Sequence, residues 1–273
     1  MAVRAPITFT LDVEDHREHR HEEPRHVAAT YAVLEFLAER GICGTFFVVG
    51  DVIEHEPTLV RAIAEGGHEV GVHAPRHRPL TLEARASFTD AMRATTARAQ
   101  DLAQQPISGF RAPQFSLVSS TRWVTDVLAD LGYRYSSSVL PIRHPLFGDP
   151  SAPRVPFRWP SGLVELPCPV AGVASRGLPF LAAVWLRNLP WIATRTLLAA
   201  HGKAPMLWSY GHPYDFDPDE PFRVLPEAGG LGSSIIWRGR DRMFDRFDRL
   251  FAGRVAPPLG ERLSSLHASQ LAA

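Results

Sequence analysis

The chain has 273 residues, of which 45% are hydrophobic and 21% are charged. This length and composition suit one globular domain with a sizeable core, and α/β barrels often reach this size as one domain. Lys plus Arg and Asp plus Glu both number 29, so the formal net charge is zero and the sequence lacks the basic character of nucleic-acid-binding proteins. We therefore expect a small-molecule or saccharide substrate and no nucleic-acid partner.

The sequence also carries expectations about the cellular compartment. Cys43 and Cys168 are too few and too far apart to form a disulfide framework, so we expect both to be reduced. The first residues lack the apolar run and cleavage site of a secretory signal peptide. No segment reaches the roughly 18 uninterrupted apolar residues of a membrane span. We expect a cytoplasmic protein without an integral membrane segment, and the sequence leaves its oligomeric state open.

Short strand-like runs alternate with helical patterns in the first half of the chain. Strands are predicted at 7–11, 45–49 and 69–72, and helices at 27–40, 57–65 and 82–104. Such alternation indicates βαβ units and a parallel sheet.

The second half continues this pattern with longer interruptions. The sequence predicts a helix near 121–131 and strands near 133–136, 164–166 and 206–210, which together suggest a barrel. A stretch with eight prolines at 141–169 is too long for an ordinary connection, and such long loops are often functional covers. A second irregular stretch at 215–234 precedes a last amphipathic segment at 241–251. We expect the apolar run 178–198 to form buried helices. The pattern predicts one catalytic domain at 1–255 and a loose tail at 256–273.

Three carboxylates, Asp12, Glu14 and Asp15, follow directly on the first predicted strand. In parallel α/β folds, active sites form beyond the carboxyl ends of the strands. Acidic residues at such a point also suit a turn and a helix N-cap, so the carboxylates alone leave both interpretations open.

Two histidines, His73 and His77, follow the third predicted strand, with a proline between them. Two imidazoles and a carboxylate make a three-ligand site with room for water, which is typical of catalytic zinc. The overlapping segment from His68 to His73 resembles the zinc-protease HExxH motif. Its spacing is one residue too long for one helical face and the segment is strand-like, so we reject that interpretation.

Two further strand ends carry polar groups. Arg111 follows the strand-like residues after position 108 and can present a cation to a nearby carboxylate. His212 comes directly after the apolar run 206–210, with acidic and aromatic residues beyond it.

The order of these motifs, with carboxylates, HxxxH, Arg-Ala-Pro-Gln-Phe and a late Gly-His-Pro, resembles the NodB-like polysaccharide deacetylases of carbohydrate esterase family 4. The resemblance extends through most of the chain, including 44–50, 67–70, 132–135 and 165–167, and it is nearest to the subgroup whose first motif is Asp-Val-Glu-Asp. It implies a deformed (β/α) barrel of about seven parallel strands and one divalent metal, expected to be Zn²⁺. It also implies hydrolytic removal of an N-acetyl group from an amino sugar or saccharide intermediate.

The resemblance further implies a role for each motif residue. The implied catalytic residues are Asp12 as the base, Arg111 as the cation that holds the base, and His212 as the general acid. The implied metal ligands are His73, His77 and one carboxylate, with Asp15 favoured and Glu14 as the alternative.

The sequence departs from the family pattern at two positions. Gly211 stands where the family usually has Leu, and Ser136 stands where related sequences tend to have Asp. The carboxylate that would orient His212 is therefore open between Glu165 and Asp215.

Other functions are compatible with the same scaffold. A deformylase or a hydrolase of cyclic amides or imides would use the same residues on a different substrate. A catalytically inactive sugar-binding relative is the alternative outside enzymes, and the presence of both Asp12 and His212 argues against it.

Overall fold

The computed structural model describes residues 5–17, 21–173, 175–225, 228–266 and 270–272. Within them, nine strands form one sheet. The strands are β1 (Ile7–Val13), β2 (Thr45–Val48), β3 (Glu69–Val72), β4 (Gly109–Phe110), β5 (Tyr135–Ser136), β6 (Phe157–Arg158), β7 (Val164–Glu165), β8 (Leu207–Gly211) and β9 (Val255–Ala256).

Parallel pairing dominates the sheet. Seven strands run parallel in the order β7-β5-β4-β3-β2-β1-β8, and β6 pairs antiparallel with the outer edge of β7. Strand β9 pairs with the first two residues of β1, before the part of β1 that pairs with β2. The predicted deformed (β/α) barrel of about seven parallel strands is confirmed.

Helices connect and cover the strands. They are α1 (Arg25–Glu39), α2 (Gly50–His55), α3 (Pro57–Glu65), α4 (Arg85–Ala103), α5 (Trp123–Asp130), α6 (Ala183–Asn188), α7 (Trp191–Ala200), α8 (Gly229–Trp237), α9 (Met243–Phe251) and α10 (Leu259–Leu263). The apolar run 178–198 forms α6 and most of α7, which Pro190 separates because proline cannot continue a helix. Among the described helices, none combines the length and the apolar character that crossing a bilayer requires.

Strand β1 shows how the sequence places polar groups inside the barrel. Successive side chains of a strand point to opposite faces. Phe9, Leu11 and Val13 pack into the core between the sheet and the helices. Thr10 lies on the other face, where its hydroxyl donates a hydrogen bond to the Ser209 carbonyl on β8 at 2.7 Å. Both faces of β1 are therefore buried, one apolar and one polar.

The described residues of 256–273 include a helix that packs against the barrel, which corrects the prediction of a loose tail. Residues 267–269 and 273 lie outside the description. Leu259 in α10 is fully buried in a cluster of apolar side chains that includes Phe47 and Trp208. The Arg262 guanidinium donates hydrogen bonds to the Leu207 carbonyl at 2.7 Å and the Thr8 hydroxyl at 3.2 Å. This segment closes the amino-terminal end of the barrel, although it is too short and mixed in sequence for periodicity to show it.

Candidate metal and catalytic site

The predicted site residues converge where the parallel strands end. Asp12 lies near the end of β1, while His73, Arg111 and His212 each follow directly on β3, β4 and β8. Strands β8, β1, β2, β3 and β4 are consecutive neighbours, so their carboxyl ends share one edge of the sheet.

Glu14, His73 and His77 form a cluster that could hold a metal ion, with one ligand atom of each residue within 4.8 Å of the others. Nε2 of His77 contacts Oε2 of Glu14, and Nε2 of His73 is 3.9 Å from the same oxygen. In the described part of the chain, this is the one such group. Two imidazoles and a carboxylate match the ligand types of a catalytic zinc site.

The second ring nitrogen of His73 determines which atom is available to a metal. Nδ1 of His73 is 2.9 Å from the Arg111 carbonyl oxygen, which can only accept a hydrogen bond. The proton is therefore on Nδ1, and the lone pair of Nε2 faces Glu14. Burial lowers the pKa of His73 to about 4, so the imidazole is neutral, as a metal ligand must be.

A tight turn brings the two histidines to one side. Ala74 adopts a φ of 60°, the left-handed region that non-glycine residues seldom enter. Its carbonyl accepts a hydrogen bond from the Gly50 amide at 2.9 Å. A Cβ on Gly50 would lie 2.4 Å from the Pro75 carbonyl oxygen, so only glycine permits this approach. The contact between 44–50 and the histidine turn thus shapes the cluster.

Glu14 has the electrostatic character of a metal ligand. It is 2% exposed, and its Oε2 is buried without a hydrogen-bond partner among the described residues. Burial by itself would raise the pKa of Glu14, but His77, His16 and His212 outweigh it and hold that pKa well below the usual value. An ionised, buried oxygen that lies against one imidazole and near a second fits a divalent cation.

Asp15 does not lie beside the two histidines, contrary to the favoured expectation. Both of its carboxylate oxygens accept hydrogen bonds from the Arg17 guanidinium, at 2.7 to 2.9 Å. Nδ1 of His26 is 3.5 Å from Oδ1 of Asp15. The strand period explains the difference, because Asp12 and Glu14 are two residues apart and share a face, whereas Asp15 projects to the other side.

Asp12 and Arg111 form a buried ion pair. Nη1 of Arg111 donates to Oδ1 of Asp12 at 2.6 Å and to the Thr10 hydroxyl at 2.8 Å. Nε and Nη2 of Arg111 donate to the carbonyl and hydroxyl of Ser137, at 3.1 and 3.0 Å. The guanidinium also lies over the Trp208 ring, 4.3 Å from its centroid. Arg111 is fully buried, so its orientation and that of the carboxylate are held rigidly.

Asp215, and not Glu165, contacts His212. Oδ2 of Asp215 is 3.2 Å from Nδ1 of His212 and accepts a hydrogen bond from the His212 amide at 2.9 Å. Oδ1 of Asp215 accepts a hydrogen bond from the buried Arg187. Glu165 instead accepts hydrogen bonds from the amides of Ser138 and Val139, at 2.6 and 2.9 Å. Of the two carboxylates, Asp215 is therefore the one that lies in position to orient His212.

The surroundings of His212 favour its protonated form. Burial opposes protonation, but the carboxylates of Glu14 and Asp215 offset it and raise the pKa of His212 to about 9. Tyr214 stacks on the imidazole with ring centroids 4.7 Å apart and an interplanar angle of 7°. Its contacts with Asp215 and Tyr214 fix the ring plane of His212 at the edge of the cluster.

Close packing around position 211 explains why a glycine stands there. A Cβ at this position would lie 3.0 Å from Cβ of Ala183 in α6 and 3.3 Å from Oδ2 of Asp215. A leucine would displace one or both. The departure from the family pattern therefore accompanies the close packing of α6 on β8.

Sequence reasoning missed two residues that complete the site. Nε2 of His16 is 2.7 Å from Oε1 of Glu14, and Arg187 anchors Asp215. His16 follows Glu14 by two residues, just beyond the end of β1, and a histidine so close to the carboxylate motif was an available signal. An arginine within the apolar run 178–198 was a signal for a buried charge.

Two cavities reach the cluster. One of about 390 Å³ includes Glu14, His16 and Tyr214 in its walls, and the other of about 480 Å³ includes His77. Asp15 and Arg17 line both cavities.

Residues 7–136 match the polysaccharide deacetylase family, and residues 137–255 match a domain of unknown function named DUF3473. The Asp-Val-Glu-Asp subgroup stays a prediction.

Two curated relatives match over short segments. The chain is 36% identical over 52 residues to peptidoglycan-N-acetylmuramic acid deacetylase PdaA of Bacillus subtilis (strain 168), which covers 19% of this chain and 20% of that protein. It is 40% identical over 57 residues to chitooligosaccharide deacetylase of Rhizobium leguminosarum bv. phaseoli, which covers 20% of this chain and 25% of that protein. The chain therefore aligns with a quarter or less of the length of these relatives.

The fold is shared with a solved structure assigned as a polysaccharide deacetylase, from Mycobacterium smegmatis. The TM-score is 0.65 at 18% sequence identity, and the match covers 100% of this chain and 93% of the other. At this identity the likeness establishes the fold alone.

Proposed function

We propose that this protein is a metal-dependent hydrolase that removes an N-acetyl group from an amino sugar or a saccharide intermediate. One observation carries the proposal: the Glu14, His73 and His77 cluster shares a single sheet edge with an arginine-paired Asp12 and with His212, which Asp215 holds. The match of 7–136 to the polysaccharide deacetylase family supports the N-acetyl group. The cytoplasmic location stays a prediction.

Glu14, His73 and His77 would hold the metal, and zinc suits a set of two nitrogens and one oxygen. When bound, such a cation lowers the pKa of water and polarises the amide carbonyl. The fit rests on the ionised, buried Oε2 of Glu14, which lies against Nε2 of His77, and on the Nδ1 proton of His73, which leaves Nε2 of His73 free to ligate.

Asp12 would act as the general base. Its carboxylate stands at the same edge as the cluster, and the fully buried Arg111 donates a hydrogen bond to Oδ1 that fixes its orientation. Removing a proton from the attacking water contributes typically about 100- to 10,000-fold to the rate.

His212 would act as the general acid. An amine leaves poorly without a proton, and a protonated imidazole can supply one to the departing nitrogen. Asp215 binds Nδ1 of His212, so Nε2 is the atom that delivers the proton.

Acetate release by the zinc-loaded protein tests the proposal directly. The substrates should include N-acetylated sugars, N-acetylated nucleotide sugars, chitooligosaccharides and, for the alternative chemistry, small cyclic amides. We expect acetate from at least one amino sugar and ring opening of none of the cyclic amides. Hydrolysis of cyclic amides only would replace the proposal with the cyclic amide hydrolase.

Adjacent carboxylates provide a matched pair for the metal site. Glu14→Gln removes the charge of the proposed ligand, whereas Asp15→Asn makes the same change one residue away, at the Arg17 pair. We expect Glu14→Gln to lose zinc and Asp15→Asn to retain one zinc per chain by elemental analysis. The opposite pattern would make Asp15 the ligand.

A further inference from the structure

His16 lies within the site. It belongs to none of the sequence motifs described above, and no step of the proposed reaction uses it. Its ring is T-shaped against Tyr214, with centroids 4.6 Å apart, and its side chain is 26% exposed on the wall of the cavity that reaches Glu14. Nε2 of His16 is 2.7 Å from Oε1 of Glu14. Because an ionised carboxylate only accepts hydrogen bonds, the proton of this bond is on Nε2.

The two oxygens of Glu14 therefore have different environments. Oε1 accepts the hydrogen bond from His16, while Oε2 contacts Nε2 of His77 and lies 3.9 Å from Nε2 of His73. A carboxylate held at one oxygen cannot rotate freely about its terminal torsion. The hydrogen bond thus fixes the plane of the carboxylate and keeps its second oxygen directed at the imidazoles.

Oε1 also lies near the second imidazole of the site. Nε2 of His212 is 3.5 Å from Oε1, beyond the range of a good hydrogen bond. Nδ1 of His212 faces Asp215, so Nε2 holds the only proton that His212 could deliver outward. If Oε1 lost the hydrogen bond from His16, both of its lone pairs would be open and it would attract the Nε2 proton of His212 more strongly.

The backbone of His16 is fixed as well. Nη2 of Arg223 donates a hydrogen bond to the His16 carbonyl oxygen, and the same guanidinium is 3.4 Å from Glu220. Backbone and ring are therefore both held, one by an arginine and the other by Glu14 and Tyr214.

We infer that His16 is a positioning residue with two effects. Its hydrogen bond to Oε1 holds the Glu14 carboxylate with Oε2 toward His73 and His77, and it leaves the Nε2 proton of His212 available to the leaving group. The second effect rests on the proposed function, whereas the first concerns metal binding alone.

Zinc affinity tests the first effect without any substrate. His16→Phe retains an aromatic ring that can contact Tyr214 but has no proton to donate, whereas His16→Gln retains an N–H donor. His201→Phe makes the same change near the end of α7, where His201 packs on Phe180. Removing such a partner of a metal ligand typically costs about 10- to 100-fold in metal affinity.

We expect chelator competition to show zinc binding weakened about 10- to 100-fold in His16→Phe, with one zinc still bound at saturation. His16→Gln should recover most of the affinity, and His201→Phe should match the wild type. Thermal unfolding of the metal-free proteins establishes that the variants are folded. Unchanged affinity in His16→Phe would overturn the inference, and so would loss of all stoichiometric binding, since His16 would then be a ligand.

Saturating zinc isolates the second effect. With the metal site full, His16→Phe should lose more turnover on an N-acetyl amide than on an aryl acetate, whose leaving group needs no proton. Equal losses on both would overturn this part. If the wild type binds zinc but releases no acetate, the proposed function fails while the affinity measurement still decides the role of His16.

Discussion

Asp215 is the residue at which stability and the proposed chemistry are most closely linked. It accepts hydrogen bonds from the fully buried Arg187 and from the His212 amide, and its Oδ2 lies 3.2 Å from Nδ1 of His212. Asp215→Asn nearly retains the shape of the side chain but removes the negative charge that Arg187 and His212 face. Two separate quantities should therefore change.

The stability effect follows from burial of the ion pair. Removing one partner of a buried pair leaves an uncompensated charge and costs about 3 to 5 kcal/mol. For a chain of this size, each kcal/mol lowers Tm by about 2 to 4 °C, so Asp215→Asn should lower Tm by about 6 to 20 °C. Differential scanning calorimetry of the metal-free protein measures this change.

The kinetic effect follows from His212. Burial alone lowers its pKa, and Asp215 is one of the carboxylates that raise that pKa to about 9. Without this charge, His212 loses its proton at lower pH, so the alkaline limb of kcat/KM should move to lower pH. Loss of the oriented acid should reduce amide turnover by up to about 100- to 10,000-fold.

Arg187→Met provides the control, because it breaks the same buried pair but leaves Asp215 beside His212. Both variants should lose stability, but only Asp215→Asn should also lose most of its amide turnover and shift the alkaline limb. Asp215→Asn with amide turnover within threefold of Arg187→Met would refute the reasoning and make Asp215 a structural anchor only.

Three further predictions address other parts of the molecule. Burial lowers the pKa of His68 to about 4, so between pH 6.5 and 4 this side chain binds a proton in the unfolded chain but not in the folded one. His68 should therefore contribute a fall of about 3 kcal/mol to the free energy of unfolding over this range, measured in urea. His68→Asn should remove this contribution. Gly211→Leu should cost about 1 to 3 kcal/mol in urea unfolding and reduce amide turnover, whereas Gly211→Ala should have a smaller effect; wild-type stability in both variants would contradict the proposed crowding against Ala183. Asp12→Asn should retain one zinc by elemental analysis but lose about 100- to 10,000-fold in turnover, and loss of the metal would show that Asp12 is a ligand.

Local pattern determined the architecture and the approximate location of the site. The predicted strand 69–72 and helix 57–65 coincide with β3 and α3, because each carries its period and its end signals within a few residues. The polar residues that follow successive strands had to meet, since parallel strands end at one edge of a sheet. Rejection of the HExxH interpretation agrees with the structure as well, because His68 precedes β3 and His73 follows it.

Tertiary structure decided which atoms meet. Asp15 and Glu14 are adjacent in sequence, yet only Glu14 faces the histidines, because direction at the end of β1 depends on the strand face and on the pairing of Asp15 with Arg17. The partner of His212 depended on contacts between distant segments, since Arg187 fixes Asp215 from α6. The packing of α10 at the amino-terminal end of the barrel also depends on contacts between distant segments. Arg262 donates a hydrogen bond to the carbonyl of Leu207, which is 55 positions away in sequence. A side chain's neighbours across such separations are chosen by the three-dimensional fit of buried charges and surfaces, and no local period in the sequence records that fit.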